Sequence, residues 1–99
     1  MELRWSREAL EQLIEIEAFI AKGDPARAAT FVDGLVDHAE TLLPANPRSG
    51  RSVPEISLPD IRELVFRNYR IVYRLAENQI EILTVFEAHR LLRLDELGC

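Results

Sequence analysis

Cysteine is almost absent from this chain of 99 residues, and its one copy, Cys99, is the last residue. No intramolecular disulfide can form, so a reducing compartment, the cytoplasm, is expected. Lysine is equally scarce: Lys22 stands alone among 12 basic residues, and the rest are arginine. No apolar run approaches the ~18 residues of a membrane span, and the first residues carry no signal-peptide pattern, so no membrane partner is expected. One cysteine and two distant histidines make no metal set, and there is no glycine-rich phosphate loop. Neither a metal nor a cofactor is expected.

What is present is ordinary globular composition, 47% apolar and 29% charged, which argues against disorder. The length suits one domain over residues 1–99, large enough to bury roughly two-thirds of its unfolded surface. The net charge of −5 argues against a field that draws in nucleic acid, so no direct DNA binding is expected. The charge is unevenly spread. Residues 1–47 hold four basic and nine acidic side chains, whereas residues 48–74 hold six arginines against Glu55, Asp60 and Glu63. Arginine suits bidentate, partly desolvated contacts, although an arginine-favouring codon bias would give the same excess.

Residues Met1 to Trp5 alternate in polarity and predict a short strand, with Trp5 in the core. Ser6 offers a helix N-cap, with Glu8 in the first turn. The apolar residues that follow (Ala9, Leu10, Leu13, Ile14, Ile16, Phe19, Ile20) cover more than half of a helix circumference, which predicts contact with two neighbours. Gly23 ends that helix. Asp24-Pro25 starts a second, whose apolar residues from Ala28 to Leu43 recur every three or four positions until Pro44 stops it. His38 falls on its polar side. The short connection predicts an antiparallel helix hairpin. Residues 44–60 hold four of the five prolines and show no period, so they read as a loop, either a surface strap or a binding loop.

The period then changes to two. Ile61–Phe66, Tyr69–Leu75 and Ile80–Phe86 predict an antiparallel three-strand meander. Turns at Arg67-Asn68 and at residues 76–79 would pair Leu75 with Ile80 and Tyr73 with Ile82, and put Leu64, Phe66, Tyr69, Ile71, Tyr73, Leu75, Ile80, Ile82 and Phe86 on one face, under the helices. The other face would carry Val65, Val72, Leu83 and Val85 around Arg70, with Arg74 directly opposite Glu81. Either the C-terminal tail (Ala88–Leu97, with leucines at near-helical spacing) or a partner would have to close over that face. The fold class is α+β.

The strings IRELVFRNYRIVYRL and IEILTVFEAHR, with the opening LRWSREAL and the helical run AATFVDGLVDHAETL, closely resemble the RelE/ParE toxin superfamily of bacterial toxin–antitoxin modules. The likeness extends over nearly the whole chain. It implies the small α+β toxin fold and, as partner, a cognate antitoxin, often a small DNA-binding protein with a wrapping C-terminal segment. It also implies one of two activities. RelE-like members cut messenger RNA on the ribosome, whereas ParE-like members poison DNA gyrase.

The residues lean to the ParE-like side. For RNA cleavage, Arg70 and Arg90 match two arginines of the RelE pattern and could clamp a phosphate, and His89 could titrate near neutrality. However, RelE carries lysines in the strand matching Ile61–Phe66, where this chain has Ile61, Glu63 and Val65. The C-terminal catalytic tyrosine is also missing, since no Tyr follows Tyr73. An acidic chain with one lysine is poorly suited to ribosomal RNA, where phosphate contacts dominate. The expected activity is therefore inhibition of a protein target, with DNA gyrase as the expected target and ribosome-dependent mRNA cleavage as the alternative. The expected partner surface comprises Val65, Arg70, Val72, Arg74, Leu83, Val85 and Arg90, helped by the wide first helix. Arg70 could equally be structural, paired with Glu63 or Glu87.

Overall fold

A computed structural model of the protein describes residues 1–88. The expected tail helix after Ala88, and with it His89 and Arg90, lies outside the described residues. The elements run β1 (Glu2–Trp5), α1 (Arg7–Ala21), α2 (Pro25–Ala45), β2 (Arg51–Ser52), β3 (Ile61–Phe66), β4 (Tyr69–Ala76) and β5 (Gln79–Glu87). They form an α+β fold in which the two helices pack on one face of a five-stranded sheet of order β1-β5-β4-β3-β2. Strand β1 joins β5 in parallel, and the other pairings are antiparallel. Among the described residues no helix is long and apolar enough to cross a membrane.

Local chemistry sets the helix ends. The Ser6 side chain accepts the Ala9 N–H at 3.0 Å, and the Asp24 carboxylate accepts the Arg27 N–H at 3.1 Å. Pro44 does not stop α2, which runs to Ala45, with the Asn46 N–H donating to the Leu42 carbonyl. A proline in the last turn removes one intrahelical donor but keeps a helical φ, so the final turn survives it. The loop is not wholly irregular either. Arg51 and Ser52 pair with Glu63 and Arg62 and add an edge strand.

The main core lies between the helices and the sheet, around Ala9, Leu13, Leu35, Leu43, Ile71, Tyr73, Ile80 and Ile82. A second core lies on the opposite face, where Val53 and Ile56 of the loop cover Ile61, Val72, Leu83 and Phe86. The proline-rich segment is therefore a strap. Among the described residues it supplies the cover that the sequence leaves to a tail or a partner.

The meander register departs from expectation at one point. Arg74 opposes Glu81, Leu75 opposes Ile80 and Tyr73 opposes Ile82 as predicted, but Val72 pairs with Thr84. Leu83 is thus an extra residue, a β-bulge, and every later side chain of β5 changes face. Val85 lies in the helix-side core and Phe86 in the strap-side core, the reverse of the expected placement. Side chains at the start of the helical layer cap the bulge. Ser6 Oγ donates to the Leu83 carbonyl at 2.9 Å, and Gln12 Oε1 accepts from the Val85 N–H at 2.6 Å and the Thr84 hydroxyl at 2.9 Å. Replacing Gln12 by leucine leaves these two buried donors unmatched. Urea denaturation should show a loss of about 1–3 kcal/mol.

Tyr69 and Tyr73 are buried, and burial pushes both phenols above their ordinary value of 10.0; Glu87 adds to the rise at Tyr69. The hydrogen bond from Gly50 and the charges of Arg62 and Arg48 oppose it at Tyr73. A raised folded value means that the folded state holds its protons more tightly. Their contribution to stability is therefore complete below pH 10.0 and is lost as pH rises beyond it. Absorbance at 295 nm should show phenolate formation coincident with alkaline unfolding, and phenolates appearing in the folded protein well below that transition would contradict it.

Candidate functional site

Arg70 projects from β4 to the strap side of the sheet, where its side chain is 5% exposed. Its Nη1 and Nη2 each lie 2.7 Å from the two oxygens of Glu55 on the strap, and its Nε lies 2.7 Å from Glu63 Oε1 on β3. The Glu63 side chain is wholly buried, and its other oxygen accepts from Arg51 Nε at 2.7 Å. The Arg70 guanidinium also lies 4.9 Å from the centroid of the Phe86 ring, which the bulge turns to this face. The result is a chain of charges, Arg51–Glu63–Arg70–Glu55, that clamps the strap to the sheet. The carboxylates raise the Arg70 pKa and outweigh the cost of burial.

The expected surface residues do not form one surface. Arg70, Val72 and Leu83 come together but lie beneath the strap, and Val85 lies under the helices. Val65 is exposed. Arg74 is half-exposed and paired with Glu81 at 3.4 Å, a solvated pair worth little. Arg90 and His89 lie outside the described residues. Trp5 packs against the core edge, and its indole N–H donates to Glu40 at 3.0 Å. His38 is half-buried against the Phe66 ring, at 5.3 Å between centroids, and is not a plain surface residue.

Among the described residues three of the exposed large apolar side chains lie on α1, and the others, Met1, Leu58 and Val65, are scattered. Leu10, Ile14 and Phe19 are 48%, 69% and 66% exposed. At 100° per residue Leu10 and Ile14 fall on one shoulder of the helix and Phe19 on the other. Beside Phe19 a groove of about 430 Å³ separates α1 from the β4–β5 edge, with Gln12, Ile16, Tyr69 and Phe86 among its walls and Glu15 and Glu87 along it. The over-wide apolar arc of α1 is the sequence signal for this surface, because the sheet and α2 can cover only part of it. Glu55 as the second partner of Arg70 left no such signal, since it sits in an aperiodic segment.

This architecture and the run of motifs through it match known proteins. The family model described as "ParE toxin of type II toxin-antitoxin system, parDE" matches residues 3–92. The chain belongs to the ParE toxin family. A curated relative from Sinorhizobium fredii (strain NBRC 101917 / NGR234), named "Putative toxin Y4kP", is 40% identical over 97 residues, which is 89% of this chain and 88% of that one. Among solved structures, the "Chromosomal ParDE TA system from P. aeruginosa" superposes with a TM-score of 0.73 at 25% identity, covering 88% of this chain and 95% of that one. This ParE-family chain thus places its β4 arginine in a closed ion-pair network, and its two most exposed large apolar side chains, Ile14 and Phe19, on the first helix.

Proposed function

We propose that the protein acts as a ParE-type toxin by contact with a protein target, DNA gyrase being the target expected, and that a cognate antitoxin neutralises it. The observation that carries this reading is the closure of Arg70. A phosphate clamp needs an accessible guanidinium, and this one has its donors committed to Glu55 and Glu63 under the strap. The solved relative named as a ParDE system supports the antitoxin half of the proposal. The α1 shoulders and the adjoining groove suit an amphipathic segment of that antitoxin, with Ile14 and Phe19 as the apolar anchors.

The test is expression of the chain alone and together with the reading frame beside its gene, followed by supercoiling and translation assays on purified protein. Growth arrest relieved by the neighbour, with loss of supercoiling, supports the proposal. Cleavage of messenger RNA on ribosomes with unaffected gyrase would replace it with the nuclease alternative. Ile14→Asp and Phe19→Asp should leave stability within ~0.5 kcal/mol, because both side chains are already in water. Each should weaken binding to the antitoxin by at least about 30-fold in a titration, as expected for a central anchor.

A further inference from the structure

A second feature, independent of the toxin reading, lies at the opposite edge of the helical layer. Arg27, in the first turn of α2, sits 5.9 Å from the centroid of the Phe31 ring, and Arg67, in the β3–β4 turn, sits 5.8 Å from that of Phe66. The two rings meet edge to face at 5.7 Å. Between the arginines is a cavity of about 380 Å³ lined by Arg27, Thr30, Phe31, Gly34, Phe66 and Arg67, with no acidic residue in its wall. Among the described residues neither arginine has an ion-pair partner, whereas Arg51, Arg70 and Arg74 of the same chain do.

Both arginines occupy places that local physics disfavours. Arg67 has φ +56°, the left-handed region. The β4–β5 turn takes the same φ at Asn78, a residue that tolerates it, whereas arginine pays a steric penalty there. Arg27 puts a cation in the first turn of α2, where the helix dipole repels it and where the only acidic group of that turn, the Asp24 cap, is engaged with the Arg27 backbone N–H. Observed backbone strain at an exposed, chemically able side chain is a pointer to function. Resting a guanidinium against an aromatic ring restricts its rotamers and weakens its hydration, which prepares it for a carboxylate.

We propose that the cleft between Arg27 and Arg67 is a docking site for an acidic, apolar-bearing peptide segment of a partner protein, whose carboxylates pair with the two guanidiniums while an aliphatic or aromatic side chain enters over Phe31 and Phe66. A peptide is favoured over nucleic acid by charge. The site is a two-arginine island on a chain of net −5, enough for paired carboxylates and unsuited to a run of phosphates. The positions of the arginines also separate binding from folding. Arg67→Asn relieves the left-handed backbone, so it should raise the melting temperature by about 2–4 °C even as it removes a binding group.

The experiment is an NMR titration of the full chain with the acetylated, amidated peptide Glu-Leu-Glu-Phe-Glu, its lysine counterpart, and a five-nucleotide oligouridylate. The acidic peptide should bind saturably, shift the amides of Gly34 and Arg67 and the Arg27 side-chain signal, and lose about 10-fold in affinity in both Arg67→Asn and Arg27→Gln. No saturable shift at these positions overturns the proposal. So does tighter binding of the oligouridylate or of the lysine peptide, or an Arg67→Asn variant that is stabilised yet binds unchanged.

Discussion

Replacing Arg70 by methionine is expected to destabilise the protein by about 3–5 kcal/mol at neutral pH, although methionine fills much of the same space. The reason is what remains. Glu63, whose side chain is wholly buried, keeps only Arg51, itself 64% exposed. Glu55 loses a bidentate partner, and Phe86 loses the guanidinium beside it. A buried carboxylate that has lost its guanidinium keeps the cost of its desolvation, which is what makes the loss large. Urea denaturation at pH 7 tests this, and a deficit below about 1 kcal/mol would show that the network carries little.

A companion variant, Glu55→Gln and Glu63→Leu with Arg70→Met, removes the charge and both countercharges together. Buried pairs exchanged for apolar groups of similar size are often neutral or better, so it should regain most of the loss. The comparison bears on function as well. An Arg70 variant that abolishes toxicity has not thereby shown a catalytic arginine, because the strap it fastens would also come loose. Only a variant that keeps the strap closed and the protein stable separates the two.

The parts of the fold legible in the sequence are those governed by short-range period. The two helices, the N-terminal strand and the meander follow from spacing and caps, and Arg74 faces Glu81 where the turn arithmetic puts it. The errors begin where one residue changes parity. Leu83 carries no mark of a bulge, because its bulged state depends on Ser6 and Gln12 from the helical layer satisfying the freed backbone groups. That single insertion moves Val85, an expected site residue, under the helices, and Phe86, an expected core residue under the helices, to the strap side. A strap is among the readings of residues 44–60, but the face it covers is illegible for a related reason. Val53 and Ile56 are isolated apolar residues among prolines, serines and charges, and only the sheet face they land on gives them a role.

The site was legible in kind more than in place. Arg70 pairs with Glu63, one of the two partners that its position in the meander allows, while Glu55 could not be found without the path of the strap. The wide apolar arc of α1 predicts two neighbours, and α1 packs against α2 and β5, yet Ile14 and Phe19 still face water. Composition points the wrong way for Arg27 and Arg67. In a chain of net −5 each is one arginine among eleven, and their importance emerges from a φ angle and two rings.

Gly50→Ala should be nearly as damaging as the loss of Arg70, by about 3 kcal/mol or more, although it adds one methyl group. Gly50 stands immediately before β2, where the strap first touches the sheet. A Cβ there would meet the Tyr73 hydroxyl, and would lie 2.7 Å from both the Tyr73 ring and the Glu63 carbonyl oxygen. The carbonyl belongs to β3 and cannot swing away. Tyr73 can move only by giving up the bonds that hold the strap, the Gly50 N–H donated to its oxygen at 2.9 Å and its own O–H donated to the Pro47 carbonyl at 2.8 Å. Two buried hydrogen bonds at about 1–3 kcal/mol each, added to overpacking, set the magnitude. Tyr73→Phe alone forfeits the same hydrogen bonds without the clash, so it should cost less, about 2 kcal/mol. Because both changes break the same contacts, the double variant should be less destabilised than the sum of the singles by at least 1 kcal/mol. Hydrogen exchange at the Ile56 amide, which donates to the Val53 carbonyl within the strap, should speed up in Gly50→Ala before the helices open. Additive single-variant effects together with unchanged exchange at Ile56 would mean that Gly50 and Tyr73 do not act as one latch.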